Sequence, residues 1–148
     1  MLGAKEAKGD IMEIRSIGII GAGQMGNGIA HVMALAGYKV SLMDISQERL
    51  SHAFDKISKN LERQVNSKKI TAAVKATALT QITTTLDLAT MGSVDLVIEA
   101  ATEDESIKQS IFDQLVPHLQ THTILTSNTS SISITRLASR TDRPEKFM

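Results

Sequence analysis

The chain has 148 residues, 42% of them hydrophobic but only 3% aromatic, and sixteen basic side chains balance sixteen acidic ones. A single domain of this length buries roughly 70% of the surface its extended chain exposes, so a core of aliphatic side chains and methionine is within reach. Balanced charge offers no general field for a nucleic-acid backbone or an anionic membrane. The absence of cysteine excludes a disulfide framework and thiol chemistry and fits a reducing compartment, the cytoplasm.

The chain opens with "MLGAKEAKGDIME", which places acids and glycines where a signal peptide needs an apolar stretch. Residues 1–13 therefore read as a flexible leader and 14–148 as one domain. No apolar run approaches the ~20 residues that span a bilayer. Two β-rich stretches, "RSIGII" and "KVSLMD", enclose Met25, Ile29, Met33 and Ala36 at helical spacing, which makes a strand, helix, strand unit. Leu50, Phe54, Ile57, Leu61 and Val65 form a second helical stripe behind Ser46 as N-cap.

Further on, Thr71 to Ala78 reads as a short helix, "QITTTL" as a strand, and Asp87 to Met91 as a helical turn closed by Gly92. "DLVIEA" is a nearly continuous apolar run, the mark of a strand covered on both faces. Asp104 to Leu119 follows as a helix with Ile107, Ile111, Leu115 and Leu119 on one side, then a strand at Thr123 to Ser127 and a short helix at Ser133 to Ser139. Strands alternating with helices imply an α/β fold, a doubly wound and mostly parallel sheet of the Rossmann type.

Six of the nine glycines lie between Gly18 and Gly37, and "GAGQMG" spans the end of the first strand and the start of the first helix. In this context Gly21 serves a tight turn, Gly23 the close approach of a pyrophosphate, and Gly26 close packing of helix on strand. The helix N-terminus, with Gln24 and Met25 in its first turn, then faces the phosphates. Asp44 closes the second strand eighteen residues after Gly26. There it either accepts hydrogen bonds from the adenosine ribose, favouring NAD over NADP, or only begins the next turn and helps cap the following helix.

In a doubly wound sheet, ligands bind beyond the carboxyl ends of the strands. Glu99 to Asp104 and Ser127 to Ser131 therefore share a crevice with the glycine turn. "ILTSNTSSISI", with seven hydroxyl or amide side chains in eleven residues, is placed near the nicotinamide end. Asn128 and Ser130 are its candidate ligand contacts, while Ser133 reads as an N-cap. None of the four histidines has a good claim as a base: His31 lies on the first helix, His52 on the adenosine side, and His118 and His122 near the opposite end of the sheet.

Together, "IGIIGAGQMGNGIAHVMALAGYKVSLMDIS", "VIEAATEDESIKQSIF", "LTSNTSSISIT" and "RPEKFM", in this order and spacing, resemble the NAD-binding domain of 3-hydroxyacyl-CoA dehydrogenases, the bacterial 3-hydroxybutyryl-CoA type above all. The resemblance covers Ile14 to Met148. It implies that Gly21 to Gly26 and Asp44 contact NAD, and that Glu103 and Lys108 reach the nicotinamide-side ribose. Ser130 would hydrogen-bond the substrate's 3-oxygen beside the nicotinamide, with Asn128 as a positioning residue. Asn60 and Lys68 fall near the family's coenzyme A contacts, or are solvated surface.

The family's catalytic histidine belongs to a G-x-H-F-x-N-P strand beyond the equivalent of "PEKFM", and its orienting glutamate lies further on. Both are absent from this sequence, as is the helical domain that supplies dimer contacts and much of the acyl-CoA pocket. The resemblance thus implies the cofactor half of an oxidoreductase that interconverts L-3-hydroxyacyl-CoA, here 3-hydroxybutyryl-CoA, and 3-ketoacyl-CoA. The 148 residues alone are expected to bind NAD without turnover, and homo-oligomers to form mainly through the helical domain. No metal is expected. An apolar patch is expected where that domain would dock. The alternative is a non-catalytic NAD(H)-binding module or redox sensor.

Overall fold

The structure, a computed structural model, describes residues 13–128 and 141–147. Five strands form one sheet: β1 (Ser16–Ile20), β2 (Lys39–Met43), β3 (Ile82–Thr85), β4 (Leu96–Glu99) and β5 (Ile124–Ser127). Their spatial order is β3-β2-β1-β4-β5 and every pairing is parallel. Helices α1 (Gln24–Leu35), α2 (Gln47–Asn66), α3 (Ala72–Thr80) and α4 (Glu105–Leu115) connect them, with 3-10 turns at Leu88–Ser93, Val116–His118 and Pro144–Lys146. The expected doubly wound parallel sheet is the observed one. Among the described residues no helix is long and apolar enough to cross a membrane.

Two apolar layers cover the sheet. Ile17 and Ile19 of β1 and Val40 and Leu42 of β2 pack with Leu50, Ala53, Ile57 and Leu61 of α2. Ile20, Met43 and Val97 face the other way, toward Met91, Phe112, Leu115, Leu125 and Phe147. Helix α2 begins where Ser46 Oγ accepts from the Arg49 N–H at 3.2 Å, and its buried positions keep the stripe expected of it. Each such Leu or Ile contributes roughly 1.5–3 kcal/mol by leaving water. Ile57→Ala would remove that and leave a cavity, a cost of roughly 2–5 kcal/mol.

Helix α4 departs from expectation in length and phase. Asp104 caps it through the Ile107 N–H at 3.1 Å, and it ends at Leu115 because Pro117 has no N–H to continue the ladder. Its buried face is Lys108, Phe112 and Leu115, while Ile107 is 50% exposed. The expected stripe is thus rotated by one residue. Phe112 meets Phe147 edge to face at 5.2 Å, and Phe147 extends the sheet by a bridge to Leu125.

At the N-terminal edge of the strands, Asp95 gathers several donors. Its Oδ2 accepts from the N–H groups of Arg15 (2.9 Å) and Ser16 (3.3 Å), and His122 Nε2 lies 2.9 Å from Oδ1. Desolvation opposes ionisation of this carboxyl, but the bonds from Arg15, His122 and Ser16 outweigh it and hold the pKa below its ordinary value. The buried Arg143 guanidinium donates to the carbonyls of Gln120 and Thr123 and pairs with Asp142. These contacts fasten β5 and the closing segment to β4.

Candidate functional site

At the opposite edge, β1 runs into the glycine turn. Gly21 has φ 107° and donates to the Met43 carbonyl at 2.8 Å. A Cβ there would lie 2.6 Å from Ala101 Cα, and a Cβ at Gly26 would lie 1.7 Å from the Gly21 carbonyl oxygen. Those two glycines are required by the fold itself. Gly23 is different: it is the N-cap of α1 with φ −72°, and a Cβ there would meet nothing within 4 Å. With no capping side chain and no acid in the first turn, the helix presents its leading N–H groups to an anion.

Asp44 follows β2 and is 5% exposed. Its Oδ2 accepts from the Ala22 N–H at 2.9 Å and its Oδ1 from the Ser46 N–H at 3.0 Å, with Arg49 Nη1 3.8 Å away. The carboxylate thus holds the glycine turn against the end of β2 and starts the turn into α2. A carboxylate has about four acceptor positions, so two remain for a diol. An open cavity of about 890 Å³ lies between Gly23 and Gln24 on one side and Ser46, Arg49, His52 and Lys56 on the other, with Ile45 87% exposed along it.

The third part is the end of β4. Glu99 and Lys108 are both fully buried and form an ion pair through Oε1 and Nζ. The Ser127 hydroxyl donates to the same Oε1 at 2.8 Å, and the Ala101 N–H donates to Oε2 at 2.8 Å. Asn128, half-buried, donates its N–H to the Glu99 carbonyl at 2.8 Å. The strand that leads into the hydroxyl loop is therefore fixed to β4, one strand away from the glycine turn and at the same edge.

Residues 16–148 match the family described as 3-hydroxyacyl-CoA dehydrogenase, NAD binding domain. The chain belongs to the 3-hydroxyacyl-CoA dehydrogenase family. It is 51% identical over 135 residues to a 3-hydroxybutyryl-CoA dehydrogenase of Bradyrhizobium diazoefficiens, covering 91% of this chain and 46% of that protein. It is 40% identical over 136 residues to the 3-hydroxyadipyl-CoA dehydrogenase of Escherichia coli, covering 92% and 29%. The crystal structure of (S)-3-hydroxybutyryl-CoA dehydrogenase from Ralstonia eutropha superimposes with a TM-score of 0.89 at 41% identity, covering 91% of this chain and 48% of that one. The chain spans about half the length, or less, of these relatives.

The coenzyme of this NAD-binding domain fits the residues present. The first turn of α1 carries unfilled donors, Gly23 leaves open space beside them, and the cavity leads from there to Ile45 and Ser46, the two residues that follow Asp44. Gln24 and Met25 are exposed in that first turn. Glu103 is exposed after β4. Ser130 and the expected helix Ser133 to Ser139 lie outside the described residues, as does most of the leader.

Lys108, expected at the nicotinamide-side ribose, is fully buried with its ammonium on Glu99, because helical phase puts it beside Phe112 and Leu115. Asn60 is half-buried on α2, and Lys68 is exposed with φ 63° just past the helix end, its N–H on the Val65 carbonyl at 3.0 Å. Neither lines the cavity described above. His31 lies 3.1 Å from Gln64 Nε2, joining α1 to α2, and burial pulls its pKa down. Ile45, Arg49 and Lys56 are site features that were missed in the sequence. Adjacency to Asp44 and the i, i+7 spacing of Arg49 and Lys56 on α2 were the available signals.

Proposed function

We propose that this domain serves an enzyme that oxidises L-3-hydroxyacyl-CoA to 3-ketoacyl-CoA and reverses the reaction, with 3-hydroxybutyryl-CoA as substrate. The observation that carries the reading is the shared edge: the cavity at the glycine turn after β1 and the backbone of Asn128 after β5 lie at the same end of one sheet, with β4 between them. The 51% identity to a 3-hydroxybutyryl-CoA dehydrogenase supports the four-carbon substrate.

When bound, NAD supplies the acceptor for the hydride of a secondary alcohol. The leading N–H groups of α1 bind the pyrophosphate, and the remaining acceptor positions of Asp44 take the adenosine ribose hydroxyls. The exposed Ile45 side chain covers one face of the adenine. Glu103 accepts from the nicotinamide-side ribose, Ser130 donates to the substrate's 3-oxygen and Asn128 orients it. Asn60 and Lys68 contact coenzyme A. The group that takes the alcohol proton is a histidine outside these 148 residues, in the family's G-x-H-F-x-N-P strand, and the helical domain that follows it supplies the homo-oligomer contacts. Met25, Val32, Ile29 and Met33 line a shallow apolar cavity of about 600 Å³ on α1 that suits such docking. The compartment is the cytoplasm.

Acetoacetyl-CoA-dependent oxidation of NADH by the full-length protein tests the reading. Turnover with the four-carbon substrate is expected. NADH binding without turnover on any 3-ketoacyl-CoA would contradict it and favour a binding module or redox sensor.

A further inference from the structure

Asn27 is a buried polar side chain to which none of the coenzyme contacts above gives a task. It lies in the first part of α1, is 5% exposed, and donates from Nδ2 to the Ala53 carbonyl of α2 at 2.8 Å. Helix propensity does not favour it, since asparagine is a poorer helix former than alanine or leucine. Nor does burial, because an amide is costly to take out of water unless it finds a partner. What the amide adds over an apolar residue is a fixed length and direction, and a mid-helix carbonyl has the second lone pair that can accept it.

The place of that bond decides what it sets. Asn27 and Ala53 both line the cavity beside Gly23, so the bond joins the wall that presents the α1 N–H groups to the wall formed by α2. On the α2 side the cavity meets Arg49, His52 and Lys56, along with Glu48. Asp44 ties the glycine turn to the start of α2 through the N–H groups of Ala22 and Ser46. Asn27 makes a second tie further along α2, and two ties fix both the gap between the helices and their splay. Another α1–α2 contact, Gln64 Nε2 to His31 Nε2 at 3.1 Å, joins residues that do not line the cavity. Resting on the reading that NAD occupies this cavity, we propose that Asn27 is a positioning residue for the adenosine diphosphate half of the coenzyme: acting through Ala53, it sets the distance from the α1 N–H groups to Arg49 and Lys56. A ligand that carries phosphates and adenosine touches both walls at once. Since charge attraction falls with distance, a wider gap weakens the contact with one wall whenever the other is made.

The test sets the bond at the cavity against the bond away from it. In the full-length protein, Asn27→Ala and Gln64→Ala each break one α1–α2 contact, with Tm as the measure of structural damage. Binding of NADH and of ADP is followed by titration calorimetry, and kcat and KM by acetoacetyl-CoA-dependent NADH oxidation. Both variants are expected to lose a similar few degrees in Tm. Asn27→Ala is expected to bind NADH and ADP about tenfold more weakly, with the KM for NADH raised by the same factor and kcat within twofold. Gln64→Ala is expected to bind both ligands within twofold of normal. Repeated in an R49Q/K56Q background, where α2 no longer presents those cations, Asn27→Ala is expected to weaken NADH by less than threefold, because groups that act as a unit are not additive.

Unchanged NADH affinity in Asn27→Ala, or equal losses in Asn27→Ala and Gln64→Ala, would overturn the inference and leave Asn27 as a brace of the fold. So would a loss confined to NADH with ADP normal, or the same loss in both backgrounds. Should Asn27→Ala fail to fold, Asn27→Ser, which keeps a polar group but cannot span the gap, decides by the same criteria. Failure of the unmodified protein to bind NADH would overturn the placement of the coenzyme, and this inference with it. NADH binding without turnover would overturn the proposed reaction alone, since the affinities still decide the role of Asn27.

Discussion

The two edges of the sheet carry similar parts and do different work. The larger groove, about 1130 Å³, opens at the N-terminal edge among Tyr38, Gln81 and Asp95, and the smaller, about 890 Å³, at the C-terminal edge beside Gly23 and Ser46. Each has an aspartate that collects backbone N–H groups. Yet at the N-terminal edge α1 ends, so carbonyls rather than N–H groups point outward, and the Gly37 carbonyl just past the helix accepts from Gln81 Nε2 at 2.9 Å. Asp95 there is engaged by Arg15, Ser16 and His122. At the other edge the helix begins, its donors are uncapped, and Asp44 keeps acceptor capacity. The donor set selects the coenzyme edge, and cavity size does not.

The largest expected effect breaks the C-terminal edge from within. Lys108→Met strands the buried Glu99 charge and should cost about 3–5 kcal/mol, read as a fall in Tm of roughly 10 °C or more. Gly26→Ala forces a methyl group into the Gly21 carbonyl and should cost about 3 kcal/mol, measured by urea denaturation. Comparing the two aspartates sharpens the contrast. Asp44→Asn should cost about 1–2 kcal/mol and weaken NADH about tenfold, equivalent to ~1.4 kcal/mol, whereas Asp95→Asn should lose similar stability and leave NADH affinity unchanged.

The smallest effect is in the pH dependence of Asp95. Its folded pKa lies below the ordinary 3.8, so its contribution is fully present above that value and is lost as pH falls through the lower folded one. Asp95→Asn should therefore flatten the acid limb of a Tm-against-pH curve. An unchanged acid limb would assign the acid sensitivity elsewhere.

The glycine turn, Asp44 and the order of elements were legible because local chemistry dictates them: a strand ending in glycines and an acid at the next strand's end leave few alternatives. Helix α4 shows where local reading fails. Ile107, Ile111 and Leu115 make one plausible stripe, and Lys108, Phe112 and Leu115 make another that puts a lysine in the core. Only the buried carboxylate of Glu99, nine residues away in sequence and on a different element, makes the second stable, and a sequence pattern carries no sign of that partner. Arg143 and His122 were opaque for the same reason, since their partners come from segments brought together by the sheet.

The most direct test of the coenzyme edge is an NADH titration of the unmodified protein beside Gly23→Ala, with Tm as control. A methyl group at Gly23 meets no protein atom within 4 Å, so the fold should be indifferent to it, while a pyrophosphate lying there would not be. The expected result is one NADH per chain, weakened at least tenfold in the variant with Tm unchanged. Equal affinity in both proteins, or no binding in either, would contradict the placement of the coenzyme on the glycine turn.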